Sequence, residues 1–408
     1  MAWNDLLHEL LSIIFLNIIK DNQNLSDLYQ CLGVCRSWRQ LAKEFLFNIA
    51  PSPWLMLNQK YPNQSVTFYT TLCEFHNTTR PTPESTLKFG LIDHTKAYAC
   101  YDGWLLLGYD NMDFRTSTSF LYNPLSGVLL QLPPFPGHLR LDAHGTIKFV
   151  ISKSCPTDRD CIICVKFSIR GTSTVLAFCK PDPIDDYSIK GKRCLLSSFS
   201  SYWIVPPEKD SSEIEDIIFY RGKFYSIDMF AALYVYNYDS STDVITSEPV
   251  IVEWFNVFNN QKVATGGVGS RNRNCNSLVK SKSGDLLMIK RIFNKNYARV
   301  TEDCRVFKLN LSNIDYYHWS EISNLKEEEA LILGWHDCIS ISVSEYNPAY
   351  KPNCIYFFDK YASGGKVIRY GVYDLKTRTF ISYSDDNGVD RDHENYKCYR
   401  LFAPSGLW

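Results

Sequence analysis

The chain lacks the features that mark several large protein classes. Its 43 Lys and Arg residues balance 44 Asp and Glu residues, so the formal net charge of −1 gives no overall field for nucleic acid or anionic membrane. Outside residues 10–19, no apolar run approaches the ~20 residues that cross a bilayer. That run lacks the basic leader and cleavage site of a signal peptide. We therefore expect a cytoplasmic or nuclear protein that binds neither nucleic acid nor membrane.

The 14 cysteines show no spacing typical of a disulfide framework or a zinc site. Cys161 and Cys164 form the only CxxC pair, and no second pair or nearby histidine completes four metal ligands. The two residues between them are isoleucines, which favours a buried strand. We expect free thiols in a reducing compartment, without a bound metal or cofactor.

Motifs for catalysis are incomplete. Residues 8–12 begin like a zinc-protease helix, but Ser12 stands where the second histidine ligand would be. The glycine-rich segment 266–270 lacks the lysine of a phosphate-binding loop, and the acidic segment 385–392 lacks the spacing and closing glutamate of a calcium loop. Both segments are more typical of loops and solvated turns. We name no catalytic residue and expect a protein that is not an enzyme.

The first 45 residues have helical periodicity. Apolar residues recur at helical spacing between Leu6 and Ile18, and Ser26 or Asp27 can cap a second helix. A third helix carries apolar side chains at i, i+4 and i+7 from Val34. Three helices of this total length lie near the lower size limit of an independent fold, and they have apolar residues on more than one face. Docking on a partner protein is the simplest way to cover that surface, and packing on the rest of this chain is the alternative.

Beyond the break at residues 50–53, short apolar runs separated by turn residues predict a mainly β structure. A strand that begins with glycine recurs at Gly103, Gly222 and Gly284, and a second type of strand follows each time. Repeated units of this kind predict a β-propeller of about six blades, with five and seven left open. We assign residues 1–48 to a three-helix module, residues 49–60 to a linker and residues 61–408 to the propeller.

The N-terminal residues resemble the F-box motif of plant F-box proteins. The resemblance lies in Trp3–Leu6, Glu9–Leu11, Ile14 and the specific run Val34-Cys35-Arg36-Ser37-Trp38-Arg39. This family usually has proline after the first leucine, where Leu7 stands here. Proline presets the backbone of a first helical turn, so its loss removes rigidity but keeps an apolar contact. The resemblance implies docking on a Skp adaptor through Leu6, Leu7, Leu10, Ile14, Val34, Cys35, Trp38 and Arg39.

The β part resembles the C-terminal domain of one large plant F-box family, which is regarded as a kelch-like propeller and was long classed as of unknown function. The ordered matches are 220–225, 284–288, 306–309, 351–357 and 371–374. Together the two resemblances imply the substrate-recognition adaptor of a Skp–cullin–F-box ubiquitin ligase, with a target protein on the propeller. Two alternatives stay open: a propeller that binds proteins without ubiquitin transfer, and a propeller hydrolase with a charged site in its central channel.

Overall fold

We describe the fold from a computed structural model, which places most of the chain. The described residues are 8–22, 31, 35–49, 54–59, 65–70, 86–90, 95–109, 119–124, 128–134, 147–153, 156, 158, 160–169, 173–181, 183–189, 192–197, 202–206, 213–239, 244–250, 252–254, 274–293, 300–312, 316–326, 328–334, 337–343, 350–361, 367–383 and 396–402.

Two helices, α1 (His8–Asn22) and α2 (Arg36–Ile49), are described in the N-terminal part. They pack on each other through a small aromatic core, in which the Phe15 ring meets the Trp38 ring edge-on with centroids 5.4 Å apart. Leu11 and Leu41 are buried beside them. The second of the three predicted helices falls on residues that lie mostly outside the described part, so the three-helix module is not confirmed.

The described residues hold 27 strands in six sheets. One sheet joins the two ends of the β part and contains β1 (Trp54–Gln59), β2 (Ser65–Thr70), β3 (Thr86–Gly90) and β27 (Tyr396–Phe402). Because β1 pairs with both β2 and β27, the β part begins at Trp54, inside the segment that we expected to be a linker.

Five blades lie between these ends. Blade 1 contains β4 (Thr95–Tyr101), β5 (Trp104–Tyr109), β6 (Ser119–Tyr122) and β7 (Leu129–Leu132), extended by β11 (Pro183–Ile189) and β12 (Lys192–Ser197). Blade 2 contains β8 (Lys148–Ile151), β9 (Ile163–Ile169) and β10 (Ser173–Cys179). Blade 3 contains β13 (Ile214–Tyr220), β14 (Lys223–Asp228), β15 (Leu233–Asp239) and β16 (Val244–Val250).

Blade 4 contains β17 (Val252–Trp254), β18 (Asn274–Lys280), β19 (Leu286–Phe293), β20 (Thr301–Ser312) and β21 (Tyr316–Ile322). Blade 5 contains β22 (Glu329–Leu333), β23 (Cys338–Ser342), β24 (Cys354–Tyr361), β25 (Val367–Asp374) and β26 (Thr379–Tyr383). The count of five corrects the prediction of about six, although it lies within the range left open. Equal blades of about 50 residues were assumed, whereas blades 1, 4 and 5 contain extra strands and the chain ends form the separate terminal sheet.

The glycine-led repeat marks the turn that joins the edge strand of a blade, β4, β13 or β18, to the strand paired with it. Gly103 and Gly222 have φ of 80° and 81°, and the residue before each also has positive φ, as two-residue hairpin turns require. Gly284 has φ of 82° in the corresponding turn of blade 4. The predicted repeat is therefore confirmed at all three positions.

Edge strands of successive blades contact one another in the order β4, β8, β13, β18 and β23. Between them lie continuous apolar layers, such as the one that joins Leu278 and Met288 of blade 4 to Ile227 and Leu233 of blade 3. Polar residues that lie on these strands are therefore brought together from four or five blades.

Candidate functional site

The first candidate site is an apolar face of α1 that the helical core leaves exposed. Leu10, Ile13 and Leu16 are 47%, 54% and 45% exposed. They follow one another at three-residue spacing, so they lie along one side of the helix. Leu11 and Phe15, on the other side, are 2% and 0% exposed in the core with α2. We call Leu10, Ile13 and Leu16 the α1 face.

The structure separates the sequence-predicted adaptor contacts into different environments. Leu10 belongs to the α1 face, Ile14 is half-buried at its edge, and Arg39 is exposed on α2. Trp38 is only 8% exposed and belongs to the core. Leu6, Leu7 and Val34 lie outside the described residues. Whether any of these residues contacts an adaptor stays a prediction.

Ile13 was part of the predicted helical pattern and Leu16 lies in the apolar run 10–19, but neither was named as a contact. Periodicity shows that α1 is apolar on more than one side, but it does not show which side α2 covers. The packing of Phe15 on Trp38 decides this, and it is a tertiary contact between helices separated by a segment outside the described residues.

Cys35 caps the N-terminus of α2. Its carbonyl accepts a hydrogen bond from the Arg39 amide at 2.9 Å, and its Sγ lies 3.5 Å from the Ser37 hydroxyl. The hydrogen bond with Ser37, followed by one from the Trp38 amide, lowers the pKa of the Cys35 thiol. Of the predicted contacts, Cys35 is therefore the one with perturbed chemistry.

The second candidate is a cluster of buried charges between the edge strands of the blades. Lys148 of β8 donates to Asp216 of β13 across 2.6 Å, and these residues are 5% and 3% exposed. Asp216 also accepts hydrogen bonds from its neighbour's amide in blade 3 and from the Leu278 amide in blade 4, at 2.8 Å and 2.7 Å. One carboxylate thus connects three blades.

Two further groups lie beside this ion pair. Lys166 of β9 is 2% exposed and donates to the backbone carbonyls of Ile214 and Glu215. Burial lowers the pKa of Lys166. Burial also raises the pKa of Glu215 to about 8, although its carboxyl accepts a hydrogen bond from the Asn276 amide at 2.6 Å. At neutral pH the Glu215 carboxyl is therefore mostly protonated.

This cluster bears on the hydrolase alternative, which needs convergent polar groups in the channel. Charged groups do converge here, but Lys148, Lys166 and Asp216 are enclosed and bonded to protein atoms. In the described part of the chain, no three His, Cys, Asp or Glu side chains are grouped as metal ligands. The arrangement is suited to holding blades together. The sequence signal that could have found it is a lysine or aspartate within otherwise apolar edge strands.

A turn beside the cluster presents an exposed aromatic side chain. Phe230, between β14 and β15, is 65% exposed. Its turn is fixed by the Asp228 carboxylate, which accepts hydrogen bonds from the amides of Phe230 and Ala232 at 2.9 Å and 2.7 Å. The Asn276 side chain holds the Asp228 carbonyl at 3.1 Å. The ring is therefore presented on rigid backbone.

Cys161 and Cys164 are 0% and 1% exposed, and Cys164 lies in β9, so the predicted buried strand is confirmed. The glycine-rich segment 266–270 and the acidic segment 385–392 lie outside the described residues. Among the described helices, neither is long and apolar enough to cross a membrane.

Successive sheets packed around their edge strands define the class as a β-propeller protein, which carries a pair of helices before the propeller. The KIB1-4 beta-propeller family profile matches residues 72–374, about three quarters of the chain. The chain therefore belongs to the KIB1-4 beta-propeller family. The match includes every strand from β4 to β25 and ends at Asp374, the last residue of β25, so only β26 of the five blades lies beyond it.

One relative is an Arabidopsis thaliana protein named "Putative F-box protein At5g55150". It is 21% identical over 379 residues, which cover 88% of this chain and 85% of the relative. This relative supports an F-box type of protein with a propeller.

Solved structures are more distant. The β-propeller domain of Cps50 (Swd1) from Myceliophthora thermophila has 9% identity and a TM-score of 0.35, and the match covers 82% of this chain and 86% of that one. AofleA from Arthrobotrys oligospora has 9% identity and a TM-score of 0.28, with 72% and 74% covered. Likeness at this level supports no conclusion about function.

Proposed function

We propose that this protein is the substrate-recognition adaptor of a Skp–cullin–F-box ubiquitin ligase. The helices dock on a Skp-family adaptor, and the propeller holds a target protein. The protein forms and breaks no bonds itself. It acts by raising the effective concentration of the target near a ubiquitin-charged partner.

The observation that carries the proposal is the exposed α1 face. Three large aliphatic side chains lie in one line on a helix whose other side is already packed against α2. An isolated exposed leucine is ordinary, but a contiguous stripe on a small module is typical of a docking surface. The distant F-box relative and the propeller fold support the same reading.

The strength of docking can be estimated from the exposed area. Full burial of a leucine or isoleucine side chain is worth about 1.5–3 kcal/mol, and these three are already about half buried. Each therefore contributes about 1 kcal/mol, and truncation of all three weakens binding by about 100-fold.

The experiment is a pull-down and titration of purified Skp adaptor with the full chain and with a Leu10→Ala, Ile13→Ala, Leu16→Ala variant. Alanine keeps the helix, and no core residue is changed. Val244→Ala, at an aliphatic residue of β16 that is 48% exposed, is the matched control. Binding by the parent and the control, with about 100-fold loss in the variant, supports the proposal.

Absence of binding by the folded parent contradicts the proposal. The alternative of a propeller that binds proteins without ubiquitin transfer is then favoured. The replacement of the usual proline by Leu7 becomes the leading explanation for the missing adaptor binding. Equal binding by parent and triple variant would instead place the adaptor contact away from the α1 face.

A further inference from the structure

A surface cavity of about 460 Å³ lies at the junction of blades 4 and 5. Its lining comes from the turn between β18 and β19, from the segment that leads into β22, and from the end of β23. The lining residues are Lys282, Ser283, Lys326, Glu328, Glu329 and Ser342. This volume is in the range of small-ligand sites, and none of these residues was singled out by sequence.

The chemical centre of the cavity is Glu329, which is only 3% exposed. Its Oε1 accepts two hydrogen bonds, from the Lys282 amide at 2.8 Å and from the Ser340 hydroxyl at 2.5 Å. Oε2 accepts none from the residues that the structure describes. The buried Glu329 carboxylate is therefore held in place through Oε1. Because Glu329 lines the cavity, Oε2 is available to accept a hydrogen bond from a ligand.

The surroundings of this carboxylate select among cations. A guanidinium pairs best with both oxygens of a carboxylate at once, and the occupied Oε1 prevents that arrangement. A primary ammonium is a compact charge with three donors, so it can use one carboxylate oxygen together with other acceptors. The Glu328 carboxylate and the serine hydroxyls of the lining supply such acceptors.

Two lysines complete the lining and argue against a free metal ion. Lys326 lies 3.5 Å from Asp285, and Lys282 belongs to the same turn as Ser283. A divalent cation needs six or more oxygen ligands, and the two lysines of the lining supply none; their ammonium groups can instead donate hydrogen bonds to carbonyl or carboxylate groups that lie near the ammonium of a ligand. Peptides have that combination.

We propose that this cavity binds a primary ammonium group of a protein or peptide ligand, with Glu329 as the anionic partner. The ammonium belongs either to a chain N-terminus or to a lysine side chain. The proposal does not depend on adaptor docking by the helices. If both proposals are right, the cavity is part of the surface that recognises the target.

The test uses three small probes in saturation-transfer NMR titrations against the full chain. Nα-acetyl-lysine amide carries only the side-chain ammonium, alanine amide carries only the α-ammonium, and Nα-acetyl-norleucine amide is the matched neutral control. For probes of this size we expect a Kd of about 1 mM for at least one cation and no binding of the neutral control. Binding of alanine amide alone identifies a chain terminus, and binding of the lysine probe alone identifies a side chain.

Glu329→Gln is the decisive variant because Gln keeps the Oε1 acceptor for Lys282 and Ser340 while removing the charge. We expect its Kd to rise at least tenfold. Glu248→Gln, an exposed position on β16 in another blade, should bind as the parent does. Glu328 is exposed, so Glu328→Gln leaves the packing around buried Glu329 unchanged. It should raise the Kd by a smaller factor than Glu329→Gln does.

Absence of binding by both cations at tens of millimolar overturns the proposal, because even weak charge-assisted contacts are detected there. Undiminished binding by folded Glu329→Gln overturns it as well. Capture of the Skp adaptor should be the same for parent and Glu329→Gln, so failure of this proposal and failure of the proposed function are observed separately.

Discussion

Gly371 of β25 lies where the structure has no room for a side chain. It pairs with Phe357 of β24, and a Cβ added to Gly371 would lie 2.3 Å from Cζ of that ring and 2.9 Å from both Cε atoms. The ring cannot easily move, because Phe357 is fully buried, the Phe380 ring is 5.9 Å away, and the Arg291 guanidinium lies 5.1 Å from its centroid. Gly371→Ala should therefore cost about 1–3 kcal/mol of stability through overpacking.

For a domain of this size, that cost corresponds to a fall in Tm of about 1–4 °C, measurable by circular dichroism at fixed protein concentration. The control is Gly222→Ala, where nothing lies within 4 Å of the added Cβ but φ is +81°, so its cost of about 1 kcal/mol comes from backbone strain.

Phe357→Leu separates the two causes. In that background the penalty of Gly371→Ala should shrink by at least about 0.5 kcal/mol, and that of Gly222→Ala should stay the same. An unchanged Tm for Gly371→Ala, or a penalty that persists fully in Phe357→Leu, would refute the packing argument.

Three further predictions concern charge and protonation. Burial raises the pKa of Glu215 from 4.5 in the unfolded chain to about 8 in the fold, so the free energy of unfolding should fall by up to about 1.4 kcal/mol per pH unit as the pH rises between these values. Glu215→Gln removes the titrating group and should flatten this slope. Parallel Tm curves for parent and variant from pH 5 to 8.5 would contradict the prediction. Lys148→Met leaves the Asp216 carboxylate buried without its cation, so the free energy of unfolding measured by urea denaturation should fall by about 3–5 kcal/mol. A fall below about 1 kcal/mol would show that the ion pair is not enclosed. Iodoacetamide near pH 7.5 should alkylate Cys35 before Cys275, because the hydrogen bond with Ser37 lowers the pKa of the Cys35 thiol whereas burial raises the pKa of the Cys275 thiol to about 12. Peptide mass spectrometry measures the two rates, and equal rates would contradict the capping geometry.

The fold class could be predicted because short local sequence patterns indicate it. Each hairpin turn of this kind needs a residue with positive φ, which glycine adopts readily, and Gly103, Gly222 and Gly284 all have positive φ. Blade number was predicted less well, since extra edge strands such as β11 and β12 have no local signature. Their membership of blade 1 depends on a parallel pairing with β7, more than 60 residues earlier in the sequence.

The candidate sites were predicted less completely, for a related reason. The Lys148–Asp216 pair joins residues 68 positions apart, and the Glu329 cavity joins turns of two blades. Each residue taken alone is an ordinary strand or turn residue. Only the order of the blades brings the charges together, and that order is a property of tertiary structure.

The helical module shows how packing changes the choice of experiment. Trp38 is the largest apolar side chain of the F-box-like run and was the natural candidate for an interface anchor. Its packing against Phe15 means that Trp38→Ala removes the small core, so loss of adaptor binding would follow from unfolding alone. Leu10, Ile13 and Leu16 contribute little to that core and much to the exposed surface. If the α1 face variant binds the adaptor more weakly while α1 stays helical, the loss comes from the binding surface. It then does not come from unfolding of the helices.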